Sequence, residues 1–167
     1  MSPRSMRWDL ITHFEVLKKG VYSRAVKSYS GAEDFFKENF PVAPRVPETF
    51  FIEMIAQVGG VLFGLGLDFK KEIILAKIED VSFYCEVPPP CVLTIEARIA
   101  DEREDGAWIH GFVNWKNEKV MEAKVLLAAV NTLAEGKNPI VFNDHFMKSY
   151  DILEVARKSE ALGSVAP

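Results

Sequence analysis

The sequence predicts an α+β domain in which one long apolar helix is wrapped by a curved antiparallel sheet. Three observations carry that expectation. Residues 48–65 place apolar side chains nearly all round a helical circumference, strand-like runs fill residues 72–130, and a proline-punctuated loop precedes the helix. At 167 residues, 49% hydrophobic and 26% charged, the chain has the size and composition of one core. Residues 1–135 read as that single domain, and 136–167 as a C-terminal extension with a short helix, not a separate domain.

Residues 14–29 favour extended structure, with Lys18-Lys19-Gly20 as the turn of a hairpin. Pro41, Pro44 and Pro47 then recur every third residue, which forbids a helix and holds 39–47 in a stiff path. Pro47 ahead of Glu48 suits a helix start, with a carboxylate in the first turn complementing the dipole. Phe50, Phe51, Met54, Ile55, Val58, Val61, Leu62 and Leu65 make this helix apolar nearly all round, so the rest of its domain must enclose it. Gly64 and Gly66 are expected to break it. Residues 72–87, 92–100, 107–115 and 119–130 read as strands joined by turns at Pro88-Pro89-Pro90, at 101–106 and at Lys116-Asn117-Glu118. A short helix is expected at 151–162.

Several function classes are disfavoured. A net charge of -4 argues against a nucleic-acid binder and gives no electrostatic attraction to an anionic membrane. The longest apolar stretch, 54–67, includes Gln57 and four glycines and is too short to span a bilayer. No apolar run of signal-peptide length follows the basic residues before Asp9, which predicts a cytoplasmic setting. Cys85 and Cys91 are therefore expected as reduced thiols; their spacing, with no nearby His, is not a zinc pattern. No nucleophile elbow occurs, and Gly64-x-Gly66 lacks the strand-to-helix context of a phosphate loop. No metal or cofactor is implied.

The informative place is the junction of the proline loop and the apolar helix. Glu53 is a carboxylate among dense apolar neighbours. Two readings stay open: an exposed stripe shared with Gln57, since i and i+4 lie on one face, or a carboxyl held in a cleft for proton transfer. Phe35-Phe36 and Phe50-Phe51 read as core or as the wall of an acyl tunnel, with core preferred.

The stretch Asn39-Phe40-Pro41-Val42-Ala43-Pro44-Arg45-Val46-Pro47-Glu48, followed by Glu53-Met54-Ile55-Ala56-Gln57, resembles the signature of the beta-hydroxyacyl-ACP dehydratases of fatty-acid synthesis. That signature runs His-Phe-Pro-Gly-x-Pro-x-x-Pro-Gly and then Glu-x-x-Ala-Gln. Ala76 to Phe83, followed by Pro88, resembles the family's next strand and turn, so the resemblance covers roughly residues 14–130. It implies the hot-dog fold, substrates presented on acyl carrier protein or coenzyme A, and a homodimer or higher homo-oligomer with sites formed across two subunits. It also implies roles: the motif histidine removes a proton alpha to the thioester carbonyl, and the helix carboxylate of the other subunit helps the beta-hydroxyl leave. Here those positions are Asn39 and Glu53, and Gln57, Phe40, Val42 and Glu48 fall at substrate-binding positions.

Three departures follow. Asn39 has no group that titrates near neutral pH and cannot take the proton. Val42 and Glu48 stand where the family has glycines, and the Glu48 carboxylate would compete with the substrate oxygen for N–H groups at the helix start. Of the other histidines, His110 falls in a strand, His13 ahead of the first strand and His145 in the extension, none with a placement that substitutes. Three functions remain in view: a dehydratase-like lyase; a hot-dog thioesterase in which Glu53 activates water and Asn39 orients it; and a non-catalytic acyl-binding subunit.

Overall fold

The computed structural model describes residues 10–131 and 141–162. The elements are β1 (His13–Lys18), β2 (Tyr22–Tyr29), α1 (Asp34–Asn39), α2 (Glu48–Gly66), β3 (Glu72–Phe83), β4 (Cys91–Arg103), β5 (Gly106–Trp115), β6 (Glu118–Val130), α3 (Asp144–Ser149) and α4 (Ile152–Ala161). The six strands make one sheet in the order β1-β2-β4-β5-β6-β3, with every neighbouring pair antiparallel. This is the helix-in-sheet architecture that the apolar pattern predicts.

Periodicity explains the arrangement. Strands β4, β5 and β6 alternate buried and less buried residues, so Leu93, Ile95, Ile109, Val113, Met121 and Val125 line one face. Against that face lies α2, whose Phe51, Met54, Ile55, Val58, Val61, Leu62 and Phe63 have no solvent exposure. Each such side chain contributes roughly 1.5–3 kcal/mol by burial. Among the described residues α2 is the one helix long and apolar enough to cross a membrane. Its enclosure by the sheet makes it a core helix. Ser23 Oγ donates to Val58 O at 3.1 Å, satisfying a buried hydroxyl between β2 and α2.

The helix ends at Gly66, within the glycine pair expected to break it, and Gly64 lies in its last turn. A Cβ on Gly64 would lie 2.7 Å from Phe69 Cε1, because the Phe69 ring folds back over the helix. The Phe69 N–H donates to Gly64 O at 2.8 Å, closing the last turn. The glycine thus serves close packing. Strand β3 stops at Phe83, short of residue 87, because Val87 O instead accepts from Val46 N of the proline loop at 2.9 Å. Strand β4 runs past residue 100 to Arg103 through an irregularity between Ile99 and Asp101, which tightens the expected 101–106 turn. Helices α1 and α3, six residues each, were not predicted. Neither is long enough to show a helical period.

The extension fastens to both edges of the sheet. Ser159 Oγ accepts from Leu17 N at 3.0 Å and donates to Val155 O at 2.8 Å, holding α4 on β1. Tyr150 Oη donates to Ile11 O at 3.1 Å, and the Glu72 carboxylate at the start of β3 accepts from Val141 N at 2.9 Å.

Both cysteines are free thiols, Cys85 exposed and Cys91 buried. Burial pushes the Cys91 thiol up to about 11, and the Glu33 carboxylate adds to the shift. At pH 8 iodoacetamide is therefore expected to modify Cys85 alone, with Cys91 reacting only after denaturation, as intact mass will show. The folded chain holds the Cys91 proton where the unfolded chain releases it, so this site's stabilisation falls as pH rises from about 9 towards 11. Rapid double modification of the native chain would refute the burial.

Candidate functional site

Glu53 sits one and a half turns into α2, on the stripe that the sheet leaves uncovered. It is half-buried, and Gln57 Nε2 donates to its Oε1 at 3.0 Å. The i, i+4 spacing brings the two side chains together, and both line a cavity of about 540 Å³. The rest of that cavity is nearly all apolar. Phe50 lines it on the α2 side, and Val141, Phe142 and Phe146 of the extension line it opposite. Both sequence readings of Glu53 are thus partly met: it shares a stripe with Gln57, and that stripe faces a cleft. Among the described residues lining it, Glu53 is the one titratable group.

The paired phenylalanines divide. Phe51 and Phe36 are core, at 0% and 1% exposure, whereas Phe50 is half-buried and faces the cavity. Phe35 stacks between them, with ring centroids 4.1 Å from Phe36 and 5.3 Å from Phe50, and so couples α1 to the first turn of α2. The Glu33 carboxylate sets the start of α1 by accepting from Ser30 N and Gly31 N, each at 2.8 Å. Partial burial pushes that carboxyl up, but these backbone donors outweigh it and hold the group below its usual range.

Asn39 ends α1 and is exposed; its Nδ2 donates to Phe35 O at 2.9 Å. It does not line the Glu53 cavity of its own chain, and neither do Phe40, Val42 and Glu48. Phe40 lies under the Arg45 guanidinium, 5.4 Å from its ring centroid, and Arg45 pairs with Glu86 at 2.8 Å. Val42, at the tip of the proline loop, is 95% exposed. Glu48 opens α2, in its first turn, with partial exposure. One chain therefore separates the predicted residues: Glu53 and Gln57 line the cavity, whereas Asn39 at the end of α1, Phe40 and Val42 in the loop after it, and Glu48 in the first turn of α2 do not.

None of the histidines is among the residues that line the cavity. His13 lies on β1, 3.8 Å from Glu15; His110 stacks on Phe112 with centroids 4.4 Å apart; His145 is exposed on α3. Among the described residues no three His, Cys, Asp or Glu side chains gather as a metal site. Sequence reading missed Val141, Phe142 and Phe146, whose only local signal is aromatic density in the extension.

No profile of a known protein family matches the chain. Individual proteins do. The chain is 31% identical over 132 residues to the 3-hydroxyacyl-[acyl-carrier-protein] dehydratase FabZ of Hydrogenobaculum sp. (strain Y04AAS1), covering 76% of this chain and 88% of that protein. It is 32% identical over 106 residues to FabZ of Xanthomonas oryzae pv. oryzae (strain PXO99A), covering 62% and 69%. Among solved structures, the dehydratase heterocomplex ApeI:P from Xenorhabdus doucetiae superposes with a TM-score of 0.61 at 16% identity, over 75% of this chain and 85% of that one. A hypothetical thioesterase from Streptococcus pneumoniae TIGR4, solved with coenzyme A, gives a TM-score of 0.57 at 10% identity, over 73% and 88%. The likeness to these structures places the fold among hot-dog proteins, and the sequence match places the chain in the 3-hydroxyacyl-[acyl-carrier-protein] dehydratase family.

Proposed function

We propose that this protein processes acyl thioesters carried on acyl carrier protein or coenzyme A, as a dehydratase-like lyase of lipid synthesis. The observation that carries this is the Glu53–Gln57 pair set in an otherwise apolar cavity. An apolar pocket with one oriented carboxyl suits an alkyl chain ending in a reactive thioester. Glu53 takes the proton alpha to the carbonyl and returns it to the beta-hydroxyl. The carbon–oxygen bond then breaks, the double bond forms and one water leaves. Gln57 holds Oε1, which leaves Oε2 to face the substrate.

The protein acts as a cytoplasmic homodimer in this reading. Two features support association: the apolar side chains of Ile74, Leu75 and Ile78, exposed at 44%, 37% and 43% on the edge strand β3, and the projecting Asn39 loop. In such a pair the loop of one copy supplies Asn39 to the Glu53 of the other. The lack of a histidine at the cavity of one chain favours a second reading, thioester hydrolysis. There Glu53 takes a proton from water as the water attacks the carbonyl and the thiol departs with that proton.

Intact-mass spectrometry of 3-hydroxyacyl carrier protein incubated with the protein separates these reactions. The expected result is loss of one water, slowed by about 10²–10⁴-fold in Glu53→Gln. Release of the acyl group, abolished in Glu53→Gln, would replace lyase by thioesterase. Unchanged substrate with both proteins would leave a non-catalytic acyl-binding subunit.

A further inference from the structure

The extension walls one side of the cavity beside Glu53, and the position of that wall bears on the substrate. Glu53, Gln57, Gly60 and Gly64 follow one stripe along α2, at helical spacings of four, three and four. Rings occupy its far end. A Cβ on Gly60 would lie 2.7 Å from Phe142 Cζ, and Phe69 covers Gly64. At Gly60 the absence of a side chain lets the Phe142 ring lie close to the backbone. The stripe is therefore open at Glu53 and blocked about two turns later, roughly 10 Å along the helix axis.

The block is held firmly. Phe142 is 5% exposed, and its ring belongs to an aromatic series: Phe69 at 6.2 Å, Phe146 at 5.1 Å beyond it, then Tyr150 at 4.7 Å and Phe14 at 5.9 Å. Val141 N on Glu72 fixes the approach, and Asn143 Oδ1 accepts from Phe146 N at 3.0 Å, capping α3. A wall anchored at both sheet edges does not give way to a longer chain at little cost.

We infer that Phe142 and Phe146 set the length of acyl chain that this site accepts, confining it to short and medium chains. The inference rests on the acyl-thioester reading of the Glu53 cavity and assigns its specificity to the C-terminal extension. An alkyl chain with its thioester at Glu53 runs along the stripe until it meets the Phe142 ring, and Phe146 bounds it laterally.

Binding of alkyl-coenzyme A thioethers, graded from butyl to hexadecyl, tests this without requiring turnover. For the parent chain, affinity should rise roughly fourfold per methylene and then stop rising at one chain length. Phe142→Ala and Phe146→Ala should each move that limit to longer chains. Gly60→Ala, which presses on the Phe142 ring, should move it to shorter ones. Thermal melting reports whether each variant folds; if Phe142→Ala does not, Phe142→Leu and Phe146→Ala carry the test. An unmoved limit in folded variants would overturn the inference and leave the acyl reading standing. Failure of the parent to bind any thioether would remove the acyl reading and this inference with it.

Discussion

Replacing Asn39 with histidine is expected to raise the rate of water loss from 3-hydroxyacyl carrier protein by about 10²–10⁴-fold, the usual contribution of a positioned general base. The resemblance to the dehydratases places a proton acceptor at this position, and an amide cannot act as one. Asn39 is exposed at the end of α1, with only Phe35 O receiving its Nδ2, so histidine enters without disturbing the core. Only the unprotonated imidazole accepts the proton. The gained rate should therefore increase with pH through about 6.5 and level above it, whereas the parent lacks that step. Mixing copies shows whose base serves which carboxyl. A chain carrying both Asn39→His and Glu53→Gln should be slow alone and become fast when mixed dimers form with the parent, because the loop of one copy then faces an intact Glu53. A folded Asn39→His variant with no gain would mean that the loop does not reach any Glu53.

What was legible in the sequence was local. The all-round apolar pattern of α2 and the strand-like runs with their turn signals over residues 72–130 are properties of consecutive residues, and these specify the helix-in-sheet architecture. Glu53 and Gln57 were legible for the same reason, since four residues along a helix is one face. Phe142 and Phe146 were not. They lie some ninety residues from Glu53, and nothing in their own segment says that Phe142 docks on Gly60 or that both line the Glu53 cavity. Gly64 and Gly66 did mark the end of α2, but the packing of the Phe69 ring on Gly64 is a tertiary fact that they do not announce. The relation of Asn39 to Glu53 is illegible in one chain for a further reason: Asn39 does not line the Glu53 cavity of its own chain, and their meeting rests on the proposed dimer.

The depth at which α2 lies in the sheet sets where Glu53 stands, and a close contact with β5 helps to set that depth. A Cβ on Gly111 of β5 would lie 2.2 Å from Ile55 Cγ2 and 2.8 Å from Cγ1. No small adjustment relieves so close an approach, because Ile55 is fully buried among strands. Gly111→Val is expected to cost about 3 kcal/mol, at the upper end of overpacking, measured by urea unfolding. Ile55→Ala alone should cost about 2–5 kcal/mol through the space it leaves. Together they should cost less than their sum by about 1–3 kcal/mol, since the valine fills what the isoleucine vacates. Strict additivity would show that the two sites do not share the contact. The consequence reaches the cavity as well. Glu53 is two residues before Ile55, nearly opposite it round the helix, so a helix pushed off β5 carries Glu53 towards Phe142 and Phe146. Gly111→Val should therefore weaken binding of the longest accepted thioether more than that of butyl-coenzyme A thioether. A variant that loses stability while keeping the parent's length profile would separate helix depth from the shape of the site.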